Sequence, residues 1–266
     1  MGEAMNLDVL LSAMYLEDYH YIDSLNIKGN CVIVNQCDRT RQRLVLDKGR
    51  SIQYIETTER GLSKSRNMAI DNSVADICML CDNDVEFMEG YEHEIIQEYE
   101  KHPDYDVIAF HVESDGIHPS PVFKSERRLN CISCLKICSV EISFRRTSVQ
   151  KVHFNELIGA GTTFKMGEEN AFLTECIRSG LAVYYIPAKI ARLRHEPSTW
   201  NTIFDKEYMI SRGASYAAIS SVYWIPLNIQ FAIRKYSSYK RNLTFIQAIY
   251  FLFEGSKEYF IQNKRK

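Results

Sequence analysis

Short apolar runs alternating with helical patterns constrain this chain more than any other feature. Leu7–Ala13, Cys31–Asn35, Ser51–Ile55, Ile77–Cys81 and Val107–Val112 each read as a buried strand. Between them, helical patterns are expected over Tyr19–Asn26, Leu62–Asn72 and Gly90–Lys101. Strands separated in this way form a mostly parallel sheet covered on both faces, the α/β class with a Rossmann-like first half. Ligands of such sheets bind beyond the carboxyl ends of the strands. Polar residues directly after an apolar run are therefore the first candidates, and Asp38, Asp82 and Asp84 all qualify.

The second half is less regular. Val140–Phe144 reads as a strand, the Gly-rich stretch Asn155–Gly167 as a loop, and Glu168–Ser179 as a helix stopped by Gly180. Val183–Ile186 reads as a strand that stops before Pro187, and the chain beyond Trp200 as helical to its end. The expected organisation is one α/β domain over 1–212, with halves at about 1–115 and about 116–212. A helical extension follows over 213–266. No 18-residue apolar run occurs, so no spanning helix is expected.

The overall charge of −2 hides an asymmetry: residues 213–266 hold eight Lys/Arg against two Asp/Glu, a net +6, leaving −8 on the rest. A basic tail on an acidic body suits phosphates or anionic lipid. Within it, YWIPLNIQFAIRKYSSYKR mixes aromatics with Arg234, Lys235, Lys240 and Arg241. It would either lie on an anionic bilayer or pack on the domain or on a second subunit. Nucleic acid is not an expected partner.

The eight cysteines point to packing thiols in a reducing, cytoplasmic setting, since no secretory pattern opens the sequence. Cys131, Cys134 and Cys138 supply three thiols with no His close by, so a closed zinc site would need a distant fourth ligand.

MLCDNDVEF carries the strongest chemical signal: two carboxylates, Asp82 and Asp84, flank Asn83 immediately after a buried strand. Oxygen ligands of this kind suit Mg²⁺ or Mn²⁺, which neutralise phosphate oxygens, although Asp and Asn also favour plain turns. Upstream lies ERGLSKSRNMAI, and downstream FNELIGAGTTFKMGEENAFL and ARLRHEPSTW.

In these blocks, in this order over residues 5–200, the chain resembles GT-A glycosyltransferases of the family 2 type. Gly61, Arg66 and Asn67 match the Gly-x-x-x-x-Arg-Asn segment that precedes the DxD strand. The resemblance implies that Asp82 and Asp84 hold a divalent metal and that Asp82 or Asn83 touches the donor ribose. It makes Glu169 the base of an inverting transfer and His195 a third metal or diphosphate ligand. Arg66, with Gly61 in the same segment, would contact the donor diphosphate or ribose, and Arg192 and Arg194 would assist with phosphate. Ser12 and Met14 fall where the family cups the nucleotide base, and Asp38 where an acid meets it, while Gly161 and Glu168 would face the acceptor.

Plainer roles stay open for several of these residues. Arg66 could pair with Asp71 or Glu59 on a helix surface. Glu168 and Glu169 could only complement a helix dipole. Asp38 could cap a turn, and His195 could be packed or solvated. Two departures bear on specificity: Ser12-Ala13-Met14-Tyr15 stands where the family has Pro-x-Tyr-Asn, and Glu-Glu stands for Glu-Asp.

The expected function is transfer of one sugar from a nucleoside-diphosphate sugar, UDP being favoured. The acceptor would be a saccharide or lipid-linked saccharide of a bacterial surface polymer, at the inner face of the plasma membrane. Two rivals are a sugar-phosphate nucleotidyltransferase, whose Gly-rich N-terminal loop is lacking in Leu7–Asp18, and an inactive GT-A-like assembly partner.

Overall fold

A computed structural model describes residues 5–114, 120–194 and 203–265. It divides into two compact units. The first holds residues 1–60, 64–153 and 173–196, and the second holds 61–63, 154–172 and 197–266.

The first unit is built on a ten-stranded sheet. Its strands are β1 (Leu7–Met14), β2 (Asn30–Gln36), β3 (Arg41–Asp47), β4 (Arg50–Thr57), β5 (Ile77–Asp82), β6 (Val85–Phe87), β7 (Val107–Glu113), β8 (Arg127–Arg128), β9 (Ile142–Arg145) and β10 (Val183–Leu193). The order is β3-β4-β2-β1-β5-β9-β7-β10-β6, with β8 also paired to β10. β4, β2, β1 and β5 are mutually parallel. β9 is antiparallel to both β5 and β7, and β10 is parallel to β7. Thus six long strands run one way, and their carboxyl ends share an edge. Val9, Leu11, Ile33, Ile52, Ile77 and Met79 sit in the main core at no more than trace exposure. Burial on both faces is why β1, β2 and β5 read as predominantly apolar runs.

Several boundaries differ from those expected, each for a local reason. The helix expected over Tyr19–Asn26 shrinks to one turn, α1 (Tyr21–Ser24), and Asn26 turns left-handed at φ 57° just beyond it. β3 lies at the sheet edge with its side chains largely exposed, so no apolar pattern marks it. It pairs with β4 through a two-residue turn, Lys48-Gly49, in which both φ angles are positive. The strand expected at Val140–Phe144 begins later: Ser139–Glu141 forms a 3-10 turn, and β9 follows it. β10 does not stop at Pro187. It continues to Leu193, with register shifts between Tyr185 and Ala191 that accommodate a residue lacking a backbone donor. Helices α2 (Leu62–Asn72), α3 (Tyr91–Lys101) and α4 (Glu168–Arg178) fall where the patterns put them, and Gly180 has the left-handed φ of 87° expected of a helix stop.

The second unit joins the Gly-rich loop to the C-terminal helices α5 (Lys206–Ile219), α6 (Trp224–Arg234), α7 (Tyr236–Tyr239) and α8 (Phe245–Asn263). The boundary expected between residues 212 and 213 falls inside α5. α5 and α8 cross backbone to backbone: a Cβ on Gly213 would lie 1.9 Å from the Leu252 carbonyl oxygen, and one on Gly255 the same distance from that of Ile210. Ser256 fastens the crossing by donating to the carbonyls of Gly213 (2.8 Å) and Leu252 (3.0 Å) and accepting from Asn228 Nδ2 at 2.8 Å. The loop is held to the same helices. Asn155 Nδ2 donates to Tyr259 Oη at 2.7 Å, and the Lys165 amide donates to Ser211 Oγ at 3.2 Å. Gly167, at φ 89°, packs so closely on Ser215 that a Cβ would come within 1.9 Å of its Oγ.

Gly213→Ala should destabilise the protein by roughly 3 kcal/mol, the upper end of overpacking costs, because its neighbour is backbone and cannot rotate away. Gly180→Ala, with open space around it, should cost about 1 kcal/mol from its φ alone. Urea unfolding midpoints of the two variants check the ordering.

Candidate functional site

The carboxyl edge of β1, β2, β4 and β5 carries two polar groups of the first unit. At the β5 end, Asp82 is about a quarter exposed, and the guanidinium of Arg66, at 1% exposure, donates from Nη2 to both its oxygens at 3.0 and 3.2 Å. Ser139 Oγ approaches the same carboxylate at 3.5 Å. Arg66 thus does not sit on the helix surface with Asp71 or Glu59. It reaches from α2 beneath the rim and fixes Asp82. Asn67 beside it is buried as well.

The Asn83–Asp84 turn is pinned through its backbone: Tyr21 Oη donates to the Asn83 carbonyl and the Arg194 amide to that of Asp84, both at 2.8 Å. This leaves the Asn83 side chain exposed and that of Asp84 half-buried. Arg192 and Arg194 pair with Glu86.

The second group, at the β1 and β2 ends, was not legible as a set. Tyr15, with a left-handed φ of 52°, donates from Oη to Asp38 Oδ1 at 3.1 Å. Arg60 Nη2 donates to the same oxygen at 2.8 Å and to Tyr15 Oη at 3.3 Å, while its Nη1 donates to the carbonyls of Cys37 (3.0 Å) and Thr58 (2.8 Å). Asn35, fully buried, holds the backbone leading out of β1 by bonding both the amide and the carbonyl of Leu16. The Asp38 side chain is 80% exposed, so this acid faces solvent on a preset scaffold. Met14 is exposed beside it, whereas Ser12 is buried and its Oγ accepts from Ser65 at 2.9 Å. The available clue to Arg60 was its place directly before Gly61.

In the second unit, Gly61 and Gly161 meet face to face with φ of 118° and 73°, so close that a Cβ on Gly161 would lie 3.4 Å from the Gly61 Cα. Leu62 donates its amide to the Ala160 carbonyl, and Ser63 Oγ donates to that of Ile158. The two acids that open α4 differ. Glu168, at 1% exposure, is buried under Gly159, where a Cβ would come within 3.3 Å of its carboxyl carbon. Glu169 is half-buried and accepts from Asn170 Nδ2 at 3.0 Å. Glu168, expected to face the acceptor, is buried against Gly159, and Glu169 is the more exposed of the two acids.

His195 lies outside the described residues. Among the described residues no group of three or more His, Cys, Asp or Glu is disposed to hold a metal. The two rim carboxylates still fit Mg²⁺, which is usually held by one or two protein carboxylates and completed by water and substrate phosphates. Cys134 is buried with its Sγ 3.7 Å from Thr174 Oγ1, and burial pushes its thiol up to about 11, as expected of a packing cysteine.

The turn that presents Ser139 to Asp82 is closed by Glu141, whose Oε2 accepts from the Cys138 amide at 2.8 Å. Burial raises the Glu141 carboxyl to about 7, partly offset by the amides of Cys138 and Val112.

A family model described as Glycosyl transferase family 2 matches residues 28–164. No curated protein matches the sequence. Among solved structures, Staphylococcus aureus TarS 1–349 superposes with a TM-score of 0.60 at 12% identity, covering 88% of this chain and 72% of that one. TarS 1–349 in complex with UDP-GlcNAc gives 0.62, again at 12% identity, covering 90% and 74%. At that identity the likeness shows the fold, which is GT-A.

Two outcomes follow from the geometry. Asp82→Ala takes a charged partner from the buried Arg66 guanidinium and should cost about 3 kcal/mol of stability, more than Asp84→Ala; thermal denaturation checks the ordering. Glu141 has a raised folded pKa, so its contribution is full below about pH 4.5 and is lost as pH rises through 7. Stability should therefore fall by on the order of 3 kcal/mol across that window, and Glu141→Gln should flatten the slope in pH-dependent urea unfolding.

Proposed function

The chain belongs to glycosyl transferase family 2, and on that premise we propose that it moves one sugar from a UDP-sugar to a hydroxyl of a saccharide or lipid-linked saccharide, with inversion at the anomeric carbon. The observation that carries this reading is the polar edge of the parallel strands, where Arg66 fixes Asp82 and where Tyr15 and Arg60 fix Asp38. TarS has been solved with UDP and with UDP-GlcNAc, which favours uridine as the base.

Asp38 accepts from an N–H of the base or a ribose hydroxyl, with Arg60 holding it ready. Asp84 and Asp82 would hold Mn²⁺ or Mg²⁺. When bound, the cation supplies positive charge against the departing diphosphate. Glu169 accepts the proton of the acceptor hydroxyl as that oxygen forms its bond to the anomeric carbon and the bond to the diphosphate oxygen breaks. Asn170 orients Glu169 for this task. His195 would add a ligand to the cation or the diphosphate.

A bacterial surface polymer made at the inner face of the plasma membrane fits the C-terminal helices. No described helix is long and apolar enough to cross a membrane. Ile225, Ile229 and Ile233 nevertheless project at successive turns of α6, 40–63% exposed, next to Arg234, Lys235, Lys240 and Arg241. Such a face suits an anionic bilayer.

Glu169→Gln should lower UDP release from UDP-GlcNAc plus acceptor at least about 10²-fold while donor binding measured by calorimetry stays unchanged. Asp84→Ala should abolish Mn²⁺-dependent donor binding. Unimpaired turnover by either variant would overturn the role given to that residue.

A further inference from the structure

β3 closes one side of the sheet, with β4 its strand neighbour among the described residues. It runs seven residues without proline, and its register with β4 is unbroken from Arg41↔Glu56 to Asp47↔Arg50. The Lys48-Gly49 turn sets which backbone groups β3 leaves free. Asp47 and Arg50 flank that two-residue turn and form a hydrogen-bonded pair, and such pairs alternate along an antiparallel ladder. Residues 41, 43, 45 and 47 therefore direct their amides and carbonyls at β4, and those of Gln42, Leu44 and Leu46 point out of the sheet edge. Side chains alternate too. Arg43 lies over the Tyr54 ring at 4.8 Å and Val45 packs on the main core, whereas Leu44 and Leu46, on the opposite face, are 67% and 79% exposed. Within one chain β3 buries little.

A regular edge with apolar side chains in water is a template for another strand, and proteins often blunt such an edge with proline or a bulge. β3 has neither. It is also complementary to itself. Laid antiparallel to its own copy about a two-fold axis at Leu44, the strand pairs along its whole length. Gln42 meets Leu46 of the second copy and Leu44 meets its own equivalent. Each of these pairs exchanges two N–H···O bonds through the groups that β4 leaves free. The same register sets Arg41 opposite Asp47 at both ends, an ion pair across the strands. Asp47 accepts from Arg50 Nη2 through Oδ2 at 2.6 Å, which leaves Oδ1 for that pair. Neighbouring registers lack this match: an axis at Arg43 sets that arginine against itself, and one at Val45 brings Arg41 opposite Gly49. We propose that the protein associates through β3 with a second copy of itself, joining the two sheets edge to edge. The parallel strands of the two copies then run in opposite directions, and the polar rims lie at opposite edges of the joined sheet.

Sedimentation velocity of the full chain tests this, at concentrations up to about 100 μM, where a micromolar association is nearly complete. A species of twice the 30.9 kDa chain mass is expected. Leu44→Lys sets two ammonium groups against each other at the axis, and Arg41→Glu opposes two acids at each end. Each should weaken association at least about tenfold, because like charges then meet directly across the strands. Ile246→Lys, on the exposed side of α8, should leave it unchanged. Arg41 is exposed, so its variant decides the matter should Leu44→Lys fail to fold by circular dichroism. A monomer at every concentration would sink the proposal, as would a dimer undiminished by Arg41→Glu. Dissociation by Ile246→Lys with none by Arg41→Glu would also defeat it and assign the association to the C-terminal helices.

Discussion

The rim of this enzyme depends on one buried cation. Arg66 is almost wholly out of water, and such a group is tolerable only when matched by charge and hydrogen bonds. Asp82 provides that match at the last residue of β5. The pair therefore joins two demands that are usually separate. It closes the space between α2 and the sheet, and it presents an acid at the strand end in a set orientation. Ser139 and the turn closed by Glu141 come to the same acid from another side. A carboxylate held by Arg66 keeps lone pairs for a ligand while losing the freedom to turn away from it.

The second unit follows the same logic with backbone in place of charge. Its glycines are positions where a side chain has no room: Gly61 against Gly161, Gly159 over Glu168, Gly167 on Ser215. Together they draw the loop tight enough to bury one acid of α4 and leave the other half-exposed. The difference in exposure between Glu168 and Glu169 is thus a packing result, since the two residues are chemically identical.

Sequence alone disclosed the elements whose burial is two-sided. β1, β2 and β5 are mostly apolar because both faces are covered, and α2, α3 and α4 fall where their patterns were read. It missed β3, an edge strand with nothing to bury, and it stopped β10 at a proline that a bulge absorbs. Asp82 and Asp84 stood out because they follow a run that ends abruptly, and Glu169 through the resemblance of its block to the family's acid pair. Tyr15 and Arg60 did not, because their meeting at Asp38 depends on a left-handed backbone turn and on strand register, neither of which leaves a local signature.

The α5–α8 crossing governs how the gene can be cut. α8 occupies the groove over Gly213, and its Tyr259 accepts from Asn155 of the Gly-rich loop. An expression fragment ending near residue 212, though it would retain every acid discussed above, would sever α5 midway and withdraw the support on which that loop rests. Shortened versions meant for crystallography or labelling should keep the whole of α8 and take their tags beyond it.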